Sequence, residues 1–345
     1  MSGALREARR RVGLSQAELA VRAGVSRALV SAIESGRHVP SVGAALRIAE
    51  ALGTTVEALF SASGRRTDVV GIDGKPLRPG ALGRVGRVGD VAVAAPLAAR
   101  SALLWPVPDV VGDDAGASLL PGAVADGFVV AGCEPALGIA EGMLGSRGPA
   151  RLVVVPCSTA AALDGLVSGR CHAAVVHGRP DDVATLEVEG VDRWHVARWR
   201  VGLAYRSERR AAIEELAAQP VVSREEGAAS QRALERAVAA VAVRPARRGA
   251  VAAGHLDAAR IGVYTGMPAV TYEPAAERFG LRFLSLESHV VELWIAGVWR
   301  EHPGALALVE LLASTAFRRR IEAIGAYDLG GCGSELSSRR AEPAT

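Results

Sequence analysis

The sequence lacks any uninterrupted apolar run of the roughly 18–20 residues that a membrane-spanning helix needs. Arg100, Glu134, Glu141 and Glu292 break the best candidates, so no partnership with a membrane is expected. The opening MSGALREARRRVGLSQAELA is basic but leads into no apolar core with a small-residue cleavage site, which argues against a secretory signal and for a cytoplasmic chain. Cysteine is sparse. Cys133, Cys157, Cys171 and Cys332 stand far apart with no CxxC pair, a pattern against both a zinc site and a disulfide framework. Four reduced, mostly buried thiols are expected, and no metal. Lysine is nearly missing: Lys75 is the exception among 40 basic residues, which points to codon usage rather than chemistry.

Catalytic signatures are missing too. The chain has no GxSxG elbow, no HExxH and no metal-spaced cluster, and the acidic pairs Asp113-Asp114, Asp181-Asp182 and Glu225-Glu226 fall in loop-like segments. The tract GRVGRVGD lacks the Gly-Lys-Ser/Thr ending of a phosphate loop and reads as a turn in a small β element. Neither an enzyme nor a cofactor is expected.

What remains is ample globular material. The 345 residues are 50% apolar and 22% charged, enough for two or so domains. The net charge of +3 is uneven, because ten arginines against five glutamates give residues 1–66 a net +5 and leave −2 for the rest.

The first 60 residues carry apolar positions at helical spacing (Leu19, Val25, Val30, Ile33, Leu46, Ile48, Ala49, Leu52, Leu59, Phe60), punctuated by turn signals at Gly13, Gly24, Gly36 to Pro40 and Gly53. Five short helices are predicted. Ser15 with Glu18 makes a capping box, and Ser26 is a natural N-cap for the next helix. Within this stretch, Ser15-Gln16-Ala17-Glu18-Leu19-Ala20, Gly24, Val25-Ser26, Ile33-Glu34-Ser35-Gly36-Arg37 and Pro40-Ser41 satisfy several fixed spacings at once. Residues 4–60 resemble the helix-turn-helix of the Xre family, the phage repressor and Cro-like regulators.

That resemblance implies a third helix lying in the major groove of double-stranded DNA, with residues near its N-terminus at the base edges. Ser26, Arg27, Ala28 and Ser31 are the candidates. Arg27 suits guanine O6 and N7, at about 1–3 kcal/mol of discrimination, and Ala28 suits a thymine methyl. Gln16 is placed to bind phosphate or brace a base contact, and Arg6, Arg9, Arg10 and Arg37 are phosphate candidates. Family members usually bind palindromic half-sites as dimers, so a homodimer is expected.

After residue 64 the pattern becomes β-rich, with pieces at 68–72, 83–88 and 90–94, and residues 106–126 look like a connection. From residue 126 strands alternate with helices, which predicts parallel crossovers in an open α/β sheet. A strand over 290–298 and one long helix over 303–324 close the set.

The pieces Val130 to Leu137, Val155 to Ala161, Val175-Val176-His177, Ser223 to Ser230 and Ala326 to Leu329 resemble, diffusely, the periplasmic-binding-protein-like domain related to molybdate- and tungstate-binding proteins. This implies a two-lobed α/β domain of type II over residues 126–332, with ligand held at helix N-termini. The candidate ligand residues are Cys133, Glu134, Ser158, Thr159, His177, Arg224, Gly227, Ser230 and Tyr272. Each has a plain structural alternative: Ser158 and Ser230 as helix caps, His177 as a core histidine, Arg224 as the partner of Glu225 or Glu226. The sequence departs from the family at Gly227-Ala228-Ala229-Ser230, where Gly-Ser-Gly-Thr is usual, and at Met267 to Tyr272, where glycines are usual. These departures weigh against molybdate and leave open another small ligand or a pocket serving only dimerisation.

The expected architecture is therefore multidomain: an all-α helix-turn-helix head at 1–64, a small β-rich connector at 65–125, the two-lobed α/β domain at 126–332 and a disordered tail at 333–345. The expected function is a ligand-responsive transcriptional regulator that binds a palindromic operator as a dimer and senses a small molecule or oxyanion effector. The alternative is a protein-interaction or small-molecule-binding module without sequence-specific DNA binding.

Overall fold

A computed structural model describes residues 2–60, 66–97, 107–114, 116–120, 122–145, 148, 150–242 and 248–336. Short-range rules build the head. Ser15, Ser26 and Ser41 each accept a hydrogen bond from a backbone N–H three residues on, capping α2 (Gln16–Arg22), α3 (Arg27–Glu34) and α4 (Val42–Ala51), as the unpaired donors of a helix start require. Helices α1 (Ser2–Arg11) and α5 (Val56–Phe60) complete the bundle. Gly24, at φ +60°, makes the turn between α2 and α3 in a region cheap only for glycine. Leu5, Leu19, Val30, Ile33, Ile48 and Leu59 fill the core. Leu46, expected there, is 56% exposed instead, because it shares the outer face of α4 with Val42 one turn earlier.

The β-rich segment forms one sheet from β1 (Arg66–Thr67), β2 (Val69–Val70), β3 (Leu82–Val88), β4 (Val91–Pro96), β5 (Val110–Asp113) and β6 (Gly116–Leu119), in the order β1-β6-β5-β3-β4-β2. GRVGRVGD is β3 and its turn: Val88 pairs with Val91 across Gly89, at φ +55°, and Asp90. The stretch expected to be a connection supplies β5 and β6, while residues 98–106 lie outside the described residues. The sheet is packed onto the α/β domain. Val88, Val93 and Ala95 share a core with Val129 and Val153. Arg84 donates to Glu141 and the Leu152 carbonyl, and Arg151 to Asp109 and the Val85 carbonyl. The composition change near 125 is thus no boundary between cores.

In the first lobe β7 (Phe128–Gly132) lies parallel between β8 (Leu152–Val155) and β9 (Ala173–Gly178), with α6 (Ala136–Leu144) and α7 (Thr159–Val167) as crossovers. After α8 (Pro180–Ala184) the chain enters β10 (Val191–Tyr205), and α9 (Ile213–Ala217) leads on to the second lobe. There β11 (Val221–Arg224) lies parallel to β12 (Arg248–Ala252) and β13 (Ala269–Tyr272), with α10 (Ala229–Ala240), α11 (His255–Thr265) and α12 (Glu273–Arg278). The lobes are joined by β10 and β14 (Arg282–Ala296), both 15 residues long and paired antiparallel.

The expected open parallel sheet is therefore corrected: parallel pairing stays inside each lobe, and two long antiparallel strands cross between them. The strand expected at 290–298 is the second half of β14. Glu287, Ser288 and His289 break its apolar alternation yet pair with Val201, Arg200 and Trp199. The helix expected over 303–324 is two, α13 (Pro303–Ala313) and α14 (Thr315–Glu322), because Ser314 leaves the helical region and caps the second through Phe317 N–H. The expected tail begins later than 333, since β15 (Glu335–Leu336) pairs with β10; residues 337–345 lie outside the described residues. No helix among the described residues is long and apolar enough to cross a membrane.

Candidate nucleic-acid interface and interlobe site

The head is locked by a buried carboxylate. Glu34, at the end of α3, accepts from Arg9 Nε at 2.6 Å and Nη2 at 3.0 Å, and from Gln16 Nε2 at 2.8 Å. Burial pushes the Glu34 carboxyl up, but the bonds from Arg9 and Gln16 and the charges of Arg9 and Arg6 outweigh it, holding the group below its ordinary value. Arg9 is consequently a core ion-pair partner and not a phosphate contact; the run Arg9-Arg10-Arg11 in sequence did not reveal which arginine faces inward. The Gln16 amide is likewise tied to Glu34, so it braces α2 against α3. Ser26 uses its hydroxyl to cap Leu29 N–H.

Arg27 and Ala28 are exposed at the start of α3, Ser31 is half-buried, and Arg6, Arg10 and Arg37 are exposed. Arg37 Nε donates to Ser35 Oγ at 2.8 Å, and Arg6 Nε lies 3.6 Å from Glu34. Among the described residues, nothing covers the outer face of α3's first turn.

The second site lies where strand ends of both lobes meet the crossing strands. Cys133 follows β7, His177 sits near the end of β9, Arg224 ends β11, His255 opens α11 after β12, and His289 lies mid-way along β14. All are buried. Arg224 Nη2 donates to Cys133 Sγ at 3.2 Å and its Nε to Glu225 at 3.2 Å. Its Nη1 has no hydrogen-bond partner among the described residues, and neither do Ser223 Oγ, Ser230 Oγ or either ring nitrogen of His255. His177 Nδ1 lies 3.2 Å from His289 Nδ1, and His289 Nε2 lies 3.2 Å from Glu287. Trp199 packs against both rings, 4.8 Å from His177 and 5.4 Å from His255, which are themselves 5.6 Å apart.

Burial dominates the electrostatics here. It pushes the Cys133 thiol up, with Arg224 pulling against it, and drives His177 and His255 well down, aided by neighbouring cationic groups. Both imidazoles are neutral lone-pair donors.

The remaining predicted residues divide. Glu134 points away from this cluster into a closed set of bonds from Trp199 Nε1 at 2.8 Å, Tyr327 Oη at 2.7 Å and Ala136 N–H at 2.8 Å, and burial raises its carboxyl. Tyr272 Oη bonds Tyr327 Oη at 3.2 Å. Ser158 caps α7 through Ala161 N–H. Thr159 Oγ1 accepts from His177 N–H at 3.2 Å and donates to its carbonyl at 3.3 Å, positioning that residue. Gly227, at φ +80°, makes the turn before α10.

Of the residues read from sequence, Cys133, His177 and Arg224 meet here, while His255 and His289 were missed. The signal for His255 was available: it opens a helix after a short strand, the same step that marked Ser158 and Ser230.

Residues 1–60 match the family described as "Helix-turn-helix domain", and residues 142–313 match "PBP superfamily domain". An uncharacterised HTH-type transcriptional regulator of Methanothermobacter thermautotrophicus is 53% identical over 49 residues, which are 14% of this chain and 71% of that protein. The HTH-type regulator YgzD of Bacillus subtilis is 42% identical over 60 residues, 17% of this chain and 91% of that one. Among solved structures, a putative phosphate transporter substrate-binding protein from Clostridium perfringens with bound phosphate is 10% identical, covering 59% of this chain and 99% of its own at a TM-score of 0.44.

Proposed function

Because the chain belongs to the helix-turn-helix transcriptional regulators and carries a PBP superfamily domain, we propose that it is a cytoplasmic, dimeric regulator that reads a palindromic operator and senses a small anion in its interlobe cleft. We take it to be a binding protein and not an enzyme. The observation that carries the DNA half is the open first turn of α3, where Arg27 and Ala28 are exposed while Glu34 fixes the other end of the helix in the core. Arg27 supplies base readout, and Arg10 and Arg37 contact phosphate. Val42 and Leu46, exposed on α4, give a second head an apolar surface to meet.

The sensing half is supported by Arg224 Nη1, Ser223 Oγ and Ser230 Oγ, which are buried without partners. Each such group costs about 1–3 kcal/mol when left unpaired. An anion offers the acceptors they lack, and the antiparallel β10 and β14 form the crossing about which lobes rotate. Closing the lobes then re-spaces the paired heads. A coupling of about 1–3 kcal/mol shifts operator affinity some 5- to 150-fold.

Gel shifts with DNA from upstream of its own gene, titrated against salt, test the first half. Arg27→Ala is expected to flatten sequence preference at a cost of about 1–3 kcal/mol, whereas Arg10→Ala weakens all DNA alike and lowers the salt slope by about one. If no DNA shifts specifically, the head is a protein-interaction module instead.

For the second half, Arg224→Met is expected to leave the fold intact, since its partner Glu225 keeps 34% of its side chain exposed and stays hydrated once the guanidinium is gone. The same variant should lose the rise in melting temperature that phosphate, sulfate or molybdate gives the parent. An undiminished response would remove Arg224 from the anion site.

A further inference from the structure

We infer that Cys133, His177 and His255 form a transition-metal site that bridges the two lobes, with Zn2+ the ion their donor set fits best. One donor atom from each of the three lies within 4.8 Å of the others, and all three residues are buried. A thiolate and two imidazoles suit zinc and exclude the oxygen-seeking Mg2+ and Ca2+. Three protein donors leave a fourth position for an exogenous ligand, in the manner of zinc sites that keep one position open.

Two further observations point the same way. The His255 imidazole is 1% exposed and neither of its nitrogens has a hydrogen-bond partner, although a buried polar group is normally paired. Its place is held from outside, as Thr271 Oγ1 donates to the His255 carbonyl at 2.8 Å. The second is the order of hydrogen bonds behind His177. Glu287 is a carboxylate; burial pushes it up, but bonds from His289 and Arg236 bring it to about 2, so it only accepts. In the tautomer with its proton on Nε2, toward Glu287, His289 accepts at Nδ1 from His177 Nδ1–H. This assignment, made from the bonding network, leaves the His177 lone pair on Nε2. A carboxylate–histidine chain that fixes the tautomer of a ligating imidazole is the usual outer support of a metal site.

Arg224 is a cation beside this site, and Glu225 offsets it. The Arg224 N–H and the His255 backbone N–H both bond Cys133 Sγ, which leaves one thiolate lone pair for a metal. Cys133 and His177 belong to the first lobe and His255 to the second, so a bound ion ties the lobes together. The regulatory consequence rests on the cleft reading proposed above; the site itself does not.

The test uses the reduced, chelator-stripped full chain titrated with Co2+. One equivalent should give a thiolate-to-cobalt charge-transfer band in the near ultraviolet with strong visible bands of four-coordinate cobalt, both bleached by Zn2+. Cys133→Ser should abolish the charge-transfer band, and Cys332→Ser should keep it. His255→Gln should weaken Zn2+ binding by more than about 100-fold, beyond the range carried by outer-shell partners. Folded parent protein that takes up neither ion overturns the inference, whatever the fate of the variants. So does a charge-transfer band that survives in Cys133→Ser. Failure of DNA binding leaves the cobalt spectrum unchanged, so the two readings fail separately.

Discussion

Glu34→Ala is expected to unfold the helical head while the rest of the chain stays folded. The substitution strands Arg9, 9% exposed, without the carboxylate that holds its Nε and Nη2, and it also frees the Gln16 amide. Removing one partner of a buried pair costs about 3–5 kcal/mol, comparable to the whole stability of a module of some 60 residues at about 0.05–0.15 kcal/mol per residue. Differential scanning calorimetry should show the head transition lowered or lost and the later transition unmoved, with operator binding lost in step. A head that melts as in the parent would mean that Arg9 finds another partner.

The pair also sets a pH dependence. The folded Glu34 carboxyl titrates below its unfolded counterpart near 4.5. Its contribution is therefore present above that unfolded value and disappears as pH falls through the lower folded one. Acidification, and not alkali, should melt the parent head, as read by the pH dependence of its calorimetric transition.

Gly132→Ala is expected to damage the first lobe where it presents Cys133. Gly132 sits at φ +151°, and a Cβ there would meet the Val175 carbonyl at 2.7 Å and the Val175 Cβ at 2.8 Å. Val175 is its partner in the parallel pair of β7 and β9, so neither contact is with a flexible tip. Backbone strain of about 1–3 kcal/mol and overpacking of about 1–3 kcal/mol add to about 2–6 kcal/mol. Denaturant unfolding followed by Trp fluorescence reads this directly. Gly138→Ala is the control: it lies in α6 with open space around it, and alanine there should be neutral or gain up to about 1 kcal/mol. Equal stability of the two variants would show that the β7–β9 approach relaxes freely.

The legible parts were those written in neighbouring residues. Ser15, Ser26 and Ser41 cap helices only a few residues away, and Gly24 turns the chain between two of them, so the head followed from spacing alone. The same logic failed inside it for Arg9, because helical periodicity marks a face only when residue type agrees, and a buried arginine does not. It failed at Ser314, whose cap sits within an otherwise continuous apolar helical pattern. It failed at β14, where Glu287 and His289 are polar for reasons that lie across the sheet.

A five-helix head, and an α/β domain following it in the chain, could be read from residue order, because caps, turns and period are local properties of the chain. Long-range packing was needed to make Arg9 a core residue and to weld the β-rich segment to the first lobe. It also brought Cys133, His177, Arg224 and His255 to one buried point. Each of these arrives on a different strand or helix start, and spacing along a chain carries no record of which strand ends a sheet brings side by side.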